Sequence, residues 1–260
     1  DSSKAKLTIA AGISCLSPSD TLSIKGGTYD ESFSYQQFAS LSGTSWSTAT
    51  TIEGYGSETV ITGRVLFCGG VAGTAVRYII FKNLHMNGGG VGGAIVVIGS
   101  CGNPGAVDHI RLDTVELYNT GSTTSVVFVG GDDGQGNGTE ILNSKIHSNG
   151  SSTLNQYHGV YVTASNVLIQ GTEIYNISGF GIHNYGPEAR PSNNIYRNNW
   201  IHDTGRTSLA STAAIFPSSE YRVVVCMPTV AWSGCAKPGP AVRGAEATRM
   251  VVNFLLVNMA

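Results

Sequence analysis

Charge is scarce in this chain. Only 12% of its 260 residues are Asp, Glu, Lys or Arg, and 15 Lys and Arg stand against 17 Asp and Glu, for a net charge of −2. A surface that reads nucleic acid or an anionic membrane normally presents a basic patch, so neither partner is expected. No apolar run approaches the roughly 18 residues that cross a bilayer as a helix. Helical periodicity is missing from the interior, which rules out alternating strand and crossover-helix architectures. Cys15, Cys68, Cys101, Cys226 and Cys235 show no CxxC metal spacing, and their odd number leaves at least one thiol free. What abounds is glycine, with 34 residues, accompanied by Asn and Ser.

Those residues punctuate a repeat. An apolar residue followed by His or Tyr recurs as Leu84-His85, Leu117-Tyr118, Ile146-His147, Ile174-Tyr175 and Ile201-His202, at steps of 33, 29, 28 and 27 residues. Each unit also carries a short run of period two, at residues 94–98, 125–129, 159–162 and 180–183. Alternation with β-branched residues predicts strands, and the intervening Gly, Asn, Asp and Ser supply turns. Strands that return at this period without helices must stack on themselves. The expectation is an all-β, single-domain parallel solenoid of three short strands per coil and seven or eight coils, spaced by roughly 4.8 Å.

The units place Asn87, Asn119, Asn149, Asn176 and Asp203 after the anchor pair. In this they resemble the right-handed parallel β-helix of the pectate-lyase-like superfamily, over most of residues 60–205. The resemblance implies that these Asn residues form an internal ladder at one turn. Pro18-Ser19-Asp20-Thr21 and Gly27-Thr28-Tyr29 are similar to the first coil of secreted members.

Residues 1–16 are expected to form a helical cap with Leu7, Ala10 or Ala11, and Leu16 on its inner stripe. Residues 17–75 form the first coils and 76–205 the regular repeats. Residues 206–260 are irregular, with Val251 to Asn258 reading as a coil again and one unrecognised turn near Val223 to Pro228. An apolar end there suggests truncation or a partner at that edge. The start at Asp1 without Met fits a mature secreted product. Asn137, Asn149 and Asn176 lie in glycosylation sequons, Asn137 being the better acceptor. Cys226 pairing with Cys235, and Cys68 with Cys101, are the candidate disulfides.

Alignment of Val127, Val160, Ile182 and Ile215 as inward residues puts Phe128, Tyr161, His183 and Phe216 in one outward column. In the resembling family this face is the substrate groove for a polysaccharide, where aromatic rings stack on sugars. Tyr161 and His183, with His158, Tyr157 and Tyr185, then constitute an acid/base group. β-Elimination on an acidic polymer needs a base, an acid and a group that neutralises the carboxylate. A His near pH 7 and a Tyr donor suit the first two, and Arg190 and Arg197 suit the third. His85, Tyr118, His147, Tyr175 and His202 form a second column, read as a structural stack.

Asp132 and Asp133, in the Gly-rich loop 130–140, offer hard oxygens for Ca²⁺, which lyases of the resembling family use to bridge substrate carboxylates. The functional expectation is a secreted, carbohydrate-active β-helix enzyme, a polysaccharide lyase or the related C5-epimerase. The alternatives are a polygalacturonase-type hydrolase using Asp132 and Asp133, and a non-enzymatic β-helix that binds glycan.

Overall fold

The computed structural model describes residues 5–68, 74–90, 92–99, 105–121, 125–131, 135–150, 157–185 and 191–205, the Ser57 side chain excepted. Beyond residue 205 it describes the backbone of Ile215–Pro217, Arg222–Cys226 and Val251–Val257. The fold is the expected parallel β-helix. One face is a 7-stranded sheet running from Phe33–Ser34 through Val65–Cys68, Val96–Gly99, Ser125–Gly130, His158–Val162 and Ile182–Asn184 to Ile215–Pro217, all parallel. The other two faces form one 13-stranded sheet bent round a corner, because Thr50–Thr62 and Ile195–Thr204 each run through that corner.

The inward residues of successive coils stack as like on like. Ile52, Phe81 and Leu112 are in register, as are Ile146, Ile174 and Ile201. A helix, Ile9–Ile13, covers the first coil. It buries Ile9, Gly12 and Ile13; of the predicted stripe, Ala10 and Leu16 pack partly buried against the core, whereas Leu7 is 96% exposed. Thr8 caps its N-terminus, and the Glu31 carboxylate accepts from the Ile9 and Ala10 amides. At the other end, Val251–Val257 pairs antiparallel with Ile195–Thr204, and Arg222–Cys226 antiparallel with Val251–Val257. These segments therefore do not continue the parallel stack, and an antiparallel strand laid there covers an otherwise open edge.

Register corrects two sequence alignments. Met86, not Leu84, stands beside Leu117, so Tyr118 aligns with Asn87 and His85 with Glu116. A slip of two residues leaves every side chain on its own face, which is why the pattern alone does not expose it. Asn149 is not a rung of the ladder. Ser148 holds the left-handed position (φ 58°) beside Asn119 (φ 60°), Asn176 (φ 54°) and Asp203 (φ 49°). Asn149 is turned into the core, fully buried, with its amide donating to the His158 carbonyl, and so cannot carry a glycan. The rungs themselves lie at the surface: Asn119 donates to Asn87, and Asn176 to Ser148.

A second left-handed column marks the corner of the large sheet, with Asn83, Thr114, Asn143 and Asn198 at φ 52–55° or nearby values and Gly171 at φ 64°. Asn and Gly tolerate this conformation, whereas a β-branched residue is strained by it. Replacing Thr114 with Asn is therefore expected to stabilise the protein by about 1 kcal/mol. A urea midpoint unchanged or lowered in Thr114→Asn would contradict this.

The column just before Glu116 turns polar along the helix, as Val115, Ser144, Thr172 and Asn199. Each polar side chain accepts from the backbone amide one coil back: Ser144 from Val115, Thr172 from Ser144, and Asn199 from Thr172. Buried polar groups are thus paired as burial demands.

Candidate functional site

The predicted outward column exists. Phe128 pairs with Tyr161, Tyr161 with His183, and His183 with Phe216, whose side chain lies outside the described residues. Parallel strands bring the rings to neighbouring-coil spacing, so Tyr161 and His183 stack with centroids 4.8 Å apart and planes 21° apart. Phe128 tilts against Tyr161 at 5.6 Å, and Tyr185 stacks on His183 at 5.7 Å. His158 completes the cluster, 4.4 Å from His183 ring to ring, with Phe180 stacked on its other side at 5.3 Å. The sequence pattern places Phe180 only at the start of the run 180–183 and not in the site, because it stands between Gly179 and Gly181, ahead of the strand Ile182–Asn184, and off the outward column.

The face is less open than expected. Towards the N-terminus the same column holds Leu66 and Val97, and Val97 is 8% exposed where it packs with Cys68 and Ala94. His158 is buried, and at Phe128, Tyr161 and His183 the column becomes half-exposed.

The proton positions of the two histidines follow from their partners. The Phe180 amide, which can only donate, is 3.2 Å from His158 Nδ1. That nitrogen is therefore an acceptor, and a neutral His158 carries its proton on Nε2. His158 Nε2 lies 3.0 Å from His183 Nδ1 and donates to it. A neutral His183 in turn carries its proton on Nε2, so its far edge is an N–H donor. Both rings stay neutral. Burial, reinforced by His183 nearby, lowers His158 to about 3, and burial lowers His183 to about 4. This corrects the expectation of a histidine titrating near pH 7. Tyr161 moves the opposite way, raised by burial and then by Tyr185, and remains a protonated phenol.

Other predicted site residues fall elsewhere. Arg197 is on the large sheet, paired in register with Gln170, and its Nε donates to Gln170 Oε1 at 2.5 Å. It does not share the face of Tyr161. Tyr157 sits at the corner before His158–Val162, its ring against Gly150, beside a cleft of about 270 Å³ shared with Asn119, Thr120 and Ser148. Arg190, Asp132 and Asp133 lie outside the described residues. The described donors of the Gly-rich loop are committed elsewhere: Gln135 bonds the Val107 amide and the Gly105 carbonyl, and Asn137 Oδ1 accepts from the Ser165 amide. Among the described residues no cluster of three or more His, Cys, Asp or Glu suits a metal ion.

The second column stacks as expected from Tyr118 onward. Tyr118–His147, His147–Tyr175 and Tyr175–His202 have centroids 5.3, 4.6 and 5.2 Å apart and planes within 13°. His147 Nε2 contacts Glu116 at 2.9 Å, and His202 Nε2 contacts Glu173 at 3.3 Å. His85 stands outside the stack and approaches Glu116 from the other side at 3.1 Å.

The fold and this face define the protein as a parallel β-helix with an aromatic and imidazole cluster on the outside of one sheet. No known family's sequence pattern matches the chain, and no curated protein matches it. Solved structures similar to it include a pectate lyase and a surface adhesin. Pectate lyase Pel9A has a TM-score of 0.47 at 11% identity, over 82% of this chain and 52% of that one. PfbA, a surface adhesin of Streptococcus pneumoniae, has a TM-score of 0.49 at 13% identity, over 74% and 51%. The chain thus spans about half the length of either structure.

Proposed function

We propose that this protein binds an extended extracellular polysaccharide along the outer face of the seven-stranded sheet, and that the face holds the glycan without cleaving it. The observation that carries this reading is the proton wiring of the histidines. Phe180 N–H occupies His158 Nδ1, and His158 Nε2–H occupies His183 Nδ1. Neither ring retains a lone pair to take a proton from substrate. What remains is suited to binding: rings at Phe128, Tyr161 and Tyr185 for the apolar faces of sugars. Cys68 is disulfide-bonded, which supports secretion or surface display, while Cys15 is a free, exposed thiol.

The second reading is β-elimination or C5-epimerisation of an acidic polysaccharide. Tyr161 favours it, because a phenol kept protonated by burial could serve as the acid towards the leaving oxygen. That chemistry also needs a base and a cation for the carboxylate, and Arg197 is on another sheet. The hydrolase reading rests wholly on Asp132 and Asp133.

Native electrophoresis in gels containing pectate, alginate, chondroitin or hyaluronan separates these readings when absorbance and reducing ends are followed in parallel incubations. The expected result is retardation in one or more gels without new absorbance, unaffected by a chelator. Tyr161→Ala should weaken retardation several-fold, as loss of about 1 kcal/mol of stacking requires, and Tyr161→Phe should retain it. Absorbance of an unsaturated uronate, lost in Tyr161→Phe, would replace this reading with elimination.

A further inference from the structure

We propose that the large sheet carries a second saccharide site, centred on Trp46 and built by Tyr78, His109 and Arg111. It lies on a different face from the Tyr161 column and does not depend on it. The argument begins with backbone conformation. Register aligns Tyr78 with His109, and continues to Gly138, Asn166 and Asn193. All five adopt left-handed φ, at 53°, 50°, 68°, 57° and 57°. Three coils fill the position with Gly or Asn, which accept it readily, while two place a bulky ring there at a conformational penalty. Such strain persists where surrounding structure over-determines it, and it clusters at ligand sites.

The strained rings meet a third. Tyr78 and His109 stack at 4.7 Å with planes 25° apart, and Trp46 meets Tyr78 edge-on at 5.3 Å and His109 at 6.1 Å. The loop that delivers Trp46 is stitched to the sheet. Ser42 Oγ donates to the Ala75 carbonyl and accepts from the Arg77 amide, and the Gly43 amide donates to the Arg77 carbonyl. Planar charged groups cover or flank the rings and are fixed in pairs. Arg111 lies 4.0 Å over the Trp46 ring while bonded to Glu140 at 2.7 Å, and Asp108 holds both Arg77 at 2.9 Å and His109 at 2.6 Å. Arg77 Nε is buried yet has no hydrogen-bond partner among the described residues.

Trp46, Tyr78 and His109 all stay half-exposed on an outer face. With Arg111 covering one face of the indole, the opposite face, bordered by the paired Arg77 and Asp108, matches a pyranose, whose C–H face stacks on an indole while its hydroxyls bond to polar groups beside it. A saccharide is therefore the ligand class assigned.

The test uses Trp46→Ala and Tyr78→Asn, each in wild type and in a Tyr161→Ala/His183→Ala background, with gel retardation and thermal melting recorded together. Retardation that survives in the double-variant background and falls at least fivefold when either substitution is added is the expected result. Tyr78→Asn should hold or raise the melting temperature, because Asn fills the same position at Asn166 and Asn193, so its loss of binding is not unfolding. A melting temperature lowered by Tyr78→Asn with retardation intact would overturn the proposal, making the rings a structural plug. Retardation abolished by Tyr161→Ala/His183→Ala alone would overturn it too, while upholding the site on the seven-stranded sheet.

Discussion

Phe81→Ala is expected to lower unfolding free energy by about 3–5 kcal/mol, the largest effect of any single substitution considered. Phe81 is fully buried and sits at the centre of an aromatic group in the first coils. Phe67 meets it at 5.4 Å with planes 89° apart, and Phe38 meets it at 5.8 Å with planes 75° apart. Phe38 and Phe67 themselves approach to 4.7 Å. Above and below, Ile52 and Leu112 stack on it from neighbouring coils. Truncation leaves a void lined by these side chains, and the strands that carry them, hydrogen-bonded along the stack, cannot collapse inward. The loss is then the transfer term plus most of the cavity term. Tyr55, 69% exposed, supplies the contrast: Tyr55→Ala should stay within about 0.5 kcal/mol of wild type. Urea titration of both variants measures the difference. Equal midpoints for Phe81→Ala and wild type would mean that the first coils do not unfold with the body of the helix, since each coil depends chiefly on its neighbours.

The repeat made the solenoid legible because stacking coils bury like residues over like, and that constraint writes itself into the sequence at every turn. Val127, Val160 and Ile182 announced their column, and with it the outward one of Phe128, Tyr161 and His183, without any structural information. What stayed hidden was whatever depends on less than a full strand period. The offset of His85 against Tyr118 is two residues, invisible to alternation, whereas the offset between Ser148 and Asn149 is one and exchanges a surface rung for a core amide. The cluster of Trp46, Tyr78 and His109 was hidden for a different reason. Its members come from a loop and from two left-handed positions, so no shared spacing links them. The one available signal was the appearance of Tyr and His where later coils carry Gly and Asn. Charge state was also beyond the sequence, because the protonation of His183 is decided by burial and by the Phe180 amide at the end of a hydrogen-bond chain.

That protonation has a measurable consequence for stability. His158 and His183 are held in the folded protein at about 3 and about 4, below the ordinary value of 6.5. Below pH 6.5 the unfolded chain therefore binds more protons than the native one, and acidification favours unfolding. Stability from this pair is fully present above pH 6.5 and is lost as pH falls towards 4. One group contributes up to about 1.4 kcal/mol per pH unit in that window. The buried His158 loses about 2 kcal/mol between pH 7 and pH 5, and solvent around the half-exposed His183 screens its share to about 1 kcal/mol, for a combined loss of about 3 kcal/mol. His183→Phe keeps a ring between Tyr161 and Tyr185 and removes the screened titrating group, and it should flatten the slope by roughly a third. Denaturant midpoints at pH 7, 6 and 5 for wild type and His183→Phe test this. A wild-type protein as stable at pH 5 as at pH 7 would mean that the pair does not remain neutral. Glycan retardation should meanwhile stay constant from pH 8 to pH 5, because His158 and His183 both stay neutral throughout. An acid/base histidine would instead switch within that range, so a binding or turnover profile breaking between pH 6 and pH 7 would return His183 to a catalytic role.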